Sequence, residues 1–392
     1  MLPLEGVTVV AVEQAVAAPF ASRQLADLGA RVVKIERPGA GDFARGYDTT
    51  VKGLASHFVW TNRSKESLTL DLKRPEAADV LRRLIGRADV FLHNLAPGAV
   101  ARLGFASDAL RRAHPRLITC EISGYGSSGP YRDKKAYDLL VQSEAGLVSI
   151  TGTPDTPSKV GISIADIAAG MYAYSAVLAA LLRRERTGEG AAVEVSLFDA
   201  VAEWMGYPAY FTEYGGTPPP RTGARHAAIA PYGPYRAGDG KVVYLGLQNE
   251  REWTRFCEEV LQRPELAADS RFSSNSRRVE HQPALDDIIT ESFARSTAAD
   301  VVARLDAADI ANARMNSVRE FLDHPQLEAR GRWRQVDSPA GPLRALAPAF
   351  TLAGTEFPMG PIPAVGQHTD AILRELGFDD ATIAAWRQGG IV

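Results

Sequence analysis

The residue best placed for covalent chemistry in this sequence is Asp166. It ends the alternating run VGISIAD and opens a helical pattern with Ile167, Met171, Tyr174, Leu178, Leu181 and Leu182 on one face. That pattern closes on Arg183, Arg184 and Arg186 before Gly188. Two readings compete. An Asp at a helix start commonly caps an orphan backbone amide, and spacing alone favours that reading. A carboxylate there is also held ionised by the helix dipole. With an ordinary pKa of ~3.9 it is anionic at neutral pH and can attack a thioester without a general base, giving an anhydride.

A scatter of cations could serve the same chemistry. Lys34 and Arg37 lie in VKIERPGAGD, Lys73 in LDLKRPE, Arg102 in NLAPGAVARLGF, and Lys135 follows SGYGSSGPYRDK. Each alone reads as a solvated surface charge. Together they fall at or just after the carboxyl ends of predicted strands, where open α/β sheets bind ligands and where a phosphorylated carrier needs cations. In RTGARHAAIAPYGPY, Arg225 and His226 are adjacent. This is either an ordinary surface loop or a site for an anionic acyl group, since an Arg fork matches a carboxylate.

Other motifs are weaker. Gly124, Gly126 and Gly129 formally spell GxGxxG, but Pro130 follows at once and the polar run to Lys135 leaves no helix to receive a pyrophosphate. The seven His do not cluster, so neither a metal triad nor a Ser/His/Asp order emerges and no metal is expected. Cys120, inside the apolar run LITCEIS, and Cys257 share no metal or redox spacing.

The elements that must position these residues follow from periodicity. Short β-branched runs alternate with helical patterns over the first two hundred residues: VTVVAVE, RVVKIE, SLTLDL, DVFLHN, LITCEIS and AVEVSLF. That alternation predicts βαβ units, an α/β class and a mainly parallel sheet. Pro75 suits the first position of the helix PEAADVLRRLIGRA. From Gly206 the chain turns rich in Gly, Pro and aromatics. The expected organisation is a large domain over 1–205, a linker and active-site loop over 206–235, a smaller α/β domain over 236–325, and a return to the large domain over 326–392. The 392 residues exceed what one core usually organises. A net charge of -3, from 44 basic and 47 acidic residues spread along the chain, points away from nucleic acid and anionic membranes and towards a small-molecule substrate. With no basic leader in MLPLEGVTVVAVE and no run of about 18 apolar residues, cytoplasmic residence is the expectation.

Several longer segments carry a family resemblance: LADLGARVVKIERPGAGDFAR, NRSKESLTLDLKRPE, HNLAPGAVARLG, GPYRDKKAYDLLVQSEAGLVSITG, GISIADIAAGMYA and LLRRERTGEGAAVEVSLFDA. Along nearly the whole chain the sequence resembles the CaiB/BaiF, or family III, CoA-transferases. The resemblance implies that Asp166 takes an acyl group and then CoA, through anhydride and aspartyl thioester states. It also implies that CoA enters as a substrate thioester, with no resident cofactor, opposite a small carboxylic acid. Arg37, Leu70, Lys73, Asn94, Arg102 and Lys135 fall on positions that contact CoA in formyl-CoA transferases of the family. Lys34 and Leu95 are assigned to the same path. Tyr137 falls on an active-site tyrosine, with Asp138 beside it as support. The implied fold is a Rossmann-like large domain made from both chain ends plus a small domain, in an interlocked homodimer.

The same superfamily contains α-methylacyl-CoA racemases, the alternative reading, in which a His immediately precedes the Asp of a GHD triplet. Here the triplet is Ala136, Tyr137, Asp138. A tyrosine, with an ordinary pKa near ~10, is a poor proton acceptor at neutral pH. The formyl-CoA transferase pattern is not fully kept either: its glycine-rich loop has no match and Val16 stands where a Gln is found. The loop from Thr222 to Tyr235 is instead similar to that of transferases acting on branched C4 and C5 dicarboxylates with succinyl-CoA, and Arg225 and His226 are its candidates for holding the distal carboxylate.

Overall fold

The computed structural model describes all 392 residues, and the chain divides into two compact units. The first comprises Met1–Ala145, Val160–Met205 and Gln326–Val392. Its centre is a six-stranded sheet of β1 (Thr8–Val12), β2 (Arg31–Glu36), β3 (Lys65–Thr69), β4 (Val90–His93), β5 (Ile118–Ser123) and β6 (Ala192–Ser196). All pairings are parallel, in the order β3-β2-β1-β4-β5-β6. The near-continuous apolar runs that marked β1, β2 and β4 are those of strands covered on both faces. The strand order reverses between β1 and β4, which opens a crevice at their carboxyl ends.

Helices cover both faces. Pro75 is the first residue of the helix Pro75–Ile85, where its missing N–H leaves no bond unmade. Leu81 and Leu84 of that helix join Phe91 and Phe105 in the main core. The longest helix, Ile164–Thr187, ends at Gly188 in the left-handed conformation (φ 75°) that a C-terminal glycine adopts without strain. By length and composition it could cross a membrane. It packs instead, through Ala165, Ala168, Ala169, Ala173 and Val177, on the helix Ala17–Asp27 and on β5 and β6. Gly170 permits this approach, because a Cβ there would lie 2.7 Å from the Ala17 carbonyl oxygen.

The C-terminal segment closes the same unit. The Ser67 amide donates to His368 Nδ1 at 3.0 Å, and the Asp71 amide to the Ile391 carbonyl at 2.8 Å. Arg31 bridges Glu66 and Glu375.

The second unit, Gly146–Lys159 with Gly206–Pro325, has its own core. Three antiparallel strands, β7 (Tyr232–Arg236), β8 (Val242–Gly246) and β9 (Ala311–Arg314), pack against helices through Trp253, Phe256, Phe272 and Phe293. Two details differ from the reading of the sequence. The stretch expected as a linker begins with a helix, Gly206–Gly215. The segment 146–159 leaves the first unit, because Arg221 donates to the carbonyls of Ser149, Thr153 and Pro154 at 3.0, 2.9 and 2.7 Å. A guanidinium tie across some seventy residues leaves no periodic trace.

Candidate active site

Asp166 occupies the first turn of the long helix, but it does not cap it. Ser163 holds the N-cap position without a side-chain bond, and Asp166 is three residues further in. The free amide of Ala165 is taken from another element: it donates to Asp138 Oδ1 at 2.8 Å. Asp138 begins the helix Asp138–Glu144, and its Oδ2 accepts from Gln142 Nε2 at 2.7 Å. Gln142, with no exposed surface, accepts in turn from the Val160 amide at 3.0 Å.

The Asp166 carboxylate is therefore half-buried beside a second carboxylate that has claimed the nearest helix amide. Burial, and after it the Asp138 charge, push its pKa up to about 7. This corrects the expectation that the helix start keeps Asp166 fully ionised at neutral pH. The dipole favours a carboxylate only where desolvation and a like charge do not outweigh it, and here they do. The penalty on the ion is on the order of a few kcal/mol.

Tyr47 was missed in the sequence. Burial, with the charges of Asp42 and Asp166 and the neighbouring Tyr137 phenol, raises its pKa, which places all three around one locus. Tyr137 itself is 72% exposed. No spacing rule links a tyrosine more than a hundred residues upstream to this helix.

The crevice between β1 and β4 is built by hydrogen bonds. The Gln14 amide donates to Asn94 Oδ1 at 2.9 Å, and Asn94 Nδ2 donates back to the Gln14 carbonyl at 2.8 Å. The Ala15 amide donates to Asp42 Oδ1 at 2.9 Å and holds Ala15 at φ 64°, a strained value for a residue with a Cβ. Asn94, expected on the CoA path, thus has its amide on the backbone. Leu95 packs against the main core, and Leu70, 2% exposed, lies inside it.

Lys34 requires a correction. It sits within β2 rather than at its end, has no exposed surface, and bonds Asp42 at 2.7 Å and Glu13 at 3.3 Å. Glu13 also pairs with Lys65 at 2.7 Å. Burial, aided by Lys34, pulls the Lys65 ammonium down to about 7, while opposite charges keep Lys34 above and Glu13 below their ordinary values despite burial. Lys34 therefore stabilises the platform beneath the crevice and cannot reach a ligand.

The remaining cations are exposed and stand after successive strands: Arg37 after β2, Lys73 after β3, Arg102 after β4 and Lys135 after β5. Arg37 leans on the Gly41 carbonyl at 3.2 Å and over the Phe43 ring at 4.3 Å. In the second unit, Arg225 is engaged: it pairs with Asp286 at 2.8 Å, over the Tyr235 ring. The His226 ring stacks on Tyr232 at 5.3 Å and its Nδ1 accepts from the Ala228 amide.

The fold is that of an α/β protein of doubly wound topology, with a crevice at the carboxyl edge of its sheet where the strand order reverses. Residues 4–369 match the family model described as CoA-transferase family III. The chain belongs to that family and is a CoA-transferase. It is 32% identical to the succinyl-CoA:glutarate CoA-transferase of Mus musculus, over 100% of this chain and 91% of that protein. It is 33% identical to the succinyl-CoA–D-citramalate CoA-transferase of Chloroflexus aurantiacus, over 95% and 94%. A solved structure of a CaiB/BaiF family protein from Brucella suis matches with a TM-score of 0.83 at 32% identity, covering 96% of this chain and 99% of that one.

Proposed function

We propose that this CoA-transferase moves CoA between succinyl-CoA and a dicarboxylate of four or five carbons through covalent intermediates on Asp166. The observation that carries the mechanism is the half-buried Asp166 carboxylate beside Asp138. In the ion, this site opposes the charge. In an aspartyl anhydride or aspartyl thioester the Asp166 side chain is neutral, so the same burial and the same Asp138 charge favour the acylated states.

The steps balance without any added proton. Asp166 attacks the thioester carbonyl, the C–S bond breaks, and CoA thiolate leaves an acyl-aspartyl anhydride. The thiolate attacks the Asp166 carbonyl, releasing the first acid and forming the aspartyl thioester. The acceptor carboxylate attacks that thioester, and the freed thiolate attacks the new acyl carbonyl, restoring Asp166. Exposed Arg37, Lys73, Arg102 and Lys135 hold the CoA phosphates, so that the thiolate stays bound between steps. The dicarboxylate assignment rests on the donors and acceptors named for the relatives, glutarate and citramalate among them.

Incubation with succinyl-CoA and hydroxylamine or borohydride, followed by peptide mass spectrometry, is expected to show modification at Asp166. Turnover by Asp166→Ala at the wild-type rate sinks the covalent mechanism. A screen of succinyl-CoA against linear and branched acids reads out the acceptor. Exchange of the α-proton in deuterated water without any acceptor acid would instead favour racemase chemistry.

A homodimer is the assembly we assign. The Gly206–Gly215 helix exposes Tyr207, Tyr210, Phe211 and Tyr214, an aromatic face of the kind that an interface covers. Sedimentation of the purified chain as a monomer at micromolar concentration overturns this.

A further inference from the structure

Gln142 touches no reacting atom, yet it is the one fully buried amide tied to the nucleophile's neighbourhood. Its two ends are both used: Nε2 donates to Asp138 Oδ2 at 2.7 Å and Oε1 accepts from the Val160 amide at 3.0 Å, on the segment leading into the long helix. With Oδ2 so held, the other Asp138 oxygen is directed at the Ala165 amide, one residue before Asp166. We propose that Gln142 is a positioning residue for the transfer reaction: it pins the Asp138 carboxylate against the start of the nucleophile helix, so that a fixed negative charge stands beside Asp166. The proposal rests on the reading of Asp166 as nucleophile.

The physical reason is geometric. A free aspartate at position 138 can rotate into solvent, where its charge is screened. Pinned by two donors, it stays near Asp166 and raises the cost of the Asp166 ion relative to the neutral acyl adducts. Besides Asp138, the Tyr47 phenol feels the Asp166 charge, and Asp42 and the Tyr137 phenol approach Tyr47 in turn. The Ala17–Asp27 helix meets the long helix at Gly170 through Ala17 and Phe20, which do not titrate.

The test is the pH dependence of Asp166 acylation in single turnover with succinyl-CoA, trapped by hydroxylamine. Gln142→Leu, similar in size but unable to hold either partner, lets Asp138 swing away into solvent. Asp166 then sees less negative charge, and the midpoint of the acid limb falls by about half to one pH unit. Asp138→Asn moves the midpoint in the same direction. The double variant Asp138→Asn/Gln142→Leu moves it no further than Asp138→Asn alone, because Gln142 acts through Asp138.

A purely structural Gln142 predicts a lower plateau rate with an unmoved midpoint, and that result overturns the proposal. So do shifts that add in the double variant. Where Gln142→Leu does not accumulate as folded protein, Gln142→Asn, one methylene too short to span both partners, carries the same expectation. An unmoved midpoint with Asp166 labelled sinks the role of Gln142 alone. Absence of label on wild-type Asp166 sinks the nucleophile reading, and this proposal with it.

Discussion

The first unit contains two clusters of charge that follow opposite rules. Beneath the crevice, Glu13, Lys34, Lys65 and Asp42 are removed from water entirely, and each anion there touches a cation within 3.3 Å. At the start of the long helix, Asp138 and Asp166 face one another without a cation bonded to either. The first cluster exchanges hydration for complementary charge and holds the crevice in shape. The second is left uncompensated, and the cost appears as a carboxyl group that titrates near 7. Burial alone does not decide whether an acid is perturbed usefully; the sign of its neighbour does.

The contrast can be tested most severely at Asp166. Replacing it by Ala is expected to lower transfer by more than about 10³-fold while the protein stays folded, measured by steady-state turnover and circular dichroism. A smaller loss removes the covalent role from the uncompensated cluster.

Lys34→Met attacks the other cluster. It leaves Asp42 without its partner and Glu13 with Lys65 alone, and should cost about 3–5 kcal/mol of stability in urea unfolding. A loss below about 1 kcal/mol would mean that the buried network is dispensable.

Asp166→Asn separates the two rules by pH. A raised carboxyl pKa means that the native state keeps its proton to higher pH than the unfolded chain, so stability falls as pH climbs from about 4 to about 7. The Asn variant should gain roughly 1–2 kcal/mol at pH 8 and nothing below pH 4, by thermal or urea unfolding. On the proposed covalent mechanism, wild-type acylation should rise with pH through the same region, because that mechanism needs the ionised carboxylate as nucleophile. The smallest effect belongs to the exposed edge: Lys73→Ala should raise the KM for the CoA ester about three- to tenfold with little change in kcat, and more so at low salt.

Legibility of the site divided along the same line. Six strand runs, Pro75 at a helix start and Gly188 at a helix end were readable, because each depends on residues within a few positions of one another. Asp166 was readable as a helix-start acid. Its true environment was not, because the residue that bonds the Ala165 amide lies 27 positions away. Lys34 was misread for a related reason. Its place near the carboxyl end of a predicted strand suggested a ligand contact, whereas a lysine inside RVVKIE has to find counter-charges once the strand is covered on both faces. Tyr47 and Gln142 carried no local signal at all.

What the sequence alone determined is the class of fold, the family and the identity of the acid at the helix start, since periodicity, turn residues and extended motifs are all written along the chain. Only the tertiary structure decided which charges are matched and which are left opposed. Coulomb interaction and desolvation act through space, so the partner that neutralises Lys34 and the partner that burdens Asp166 exist only once the sheet and its helices have closed around them.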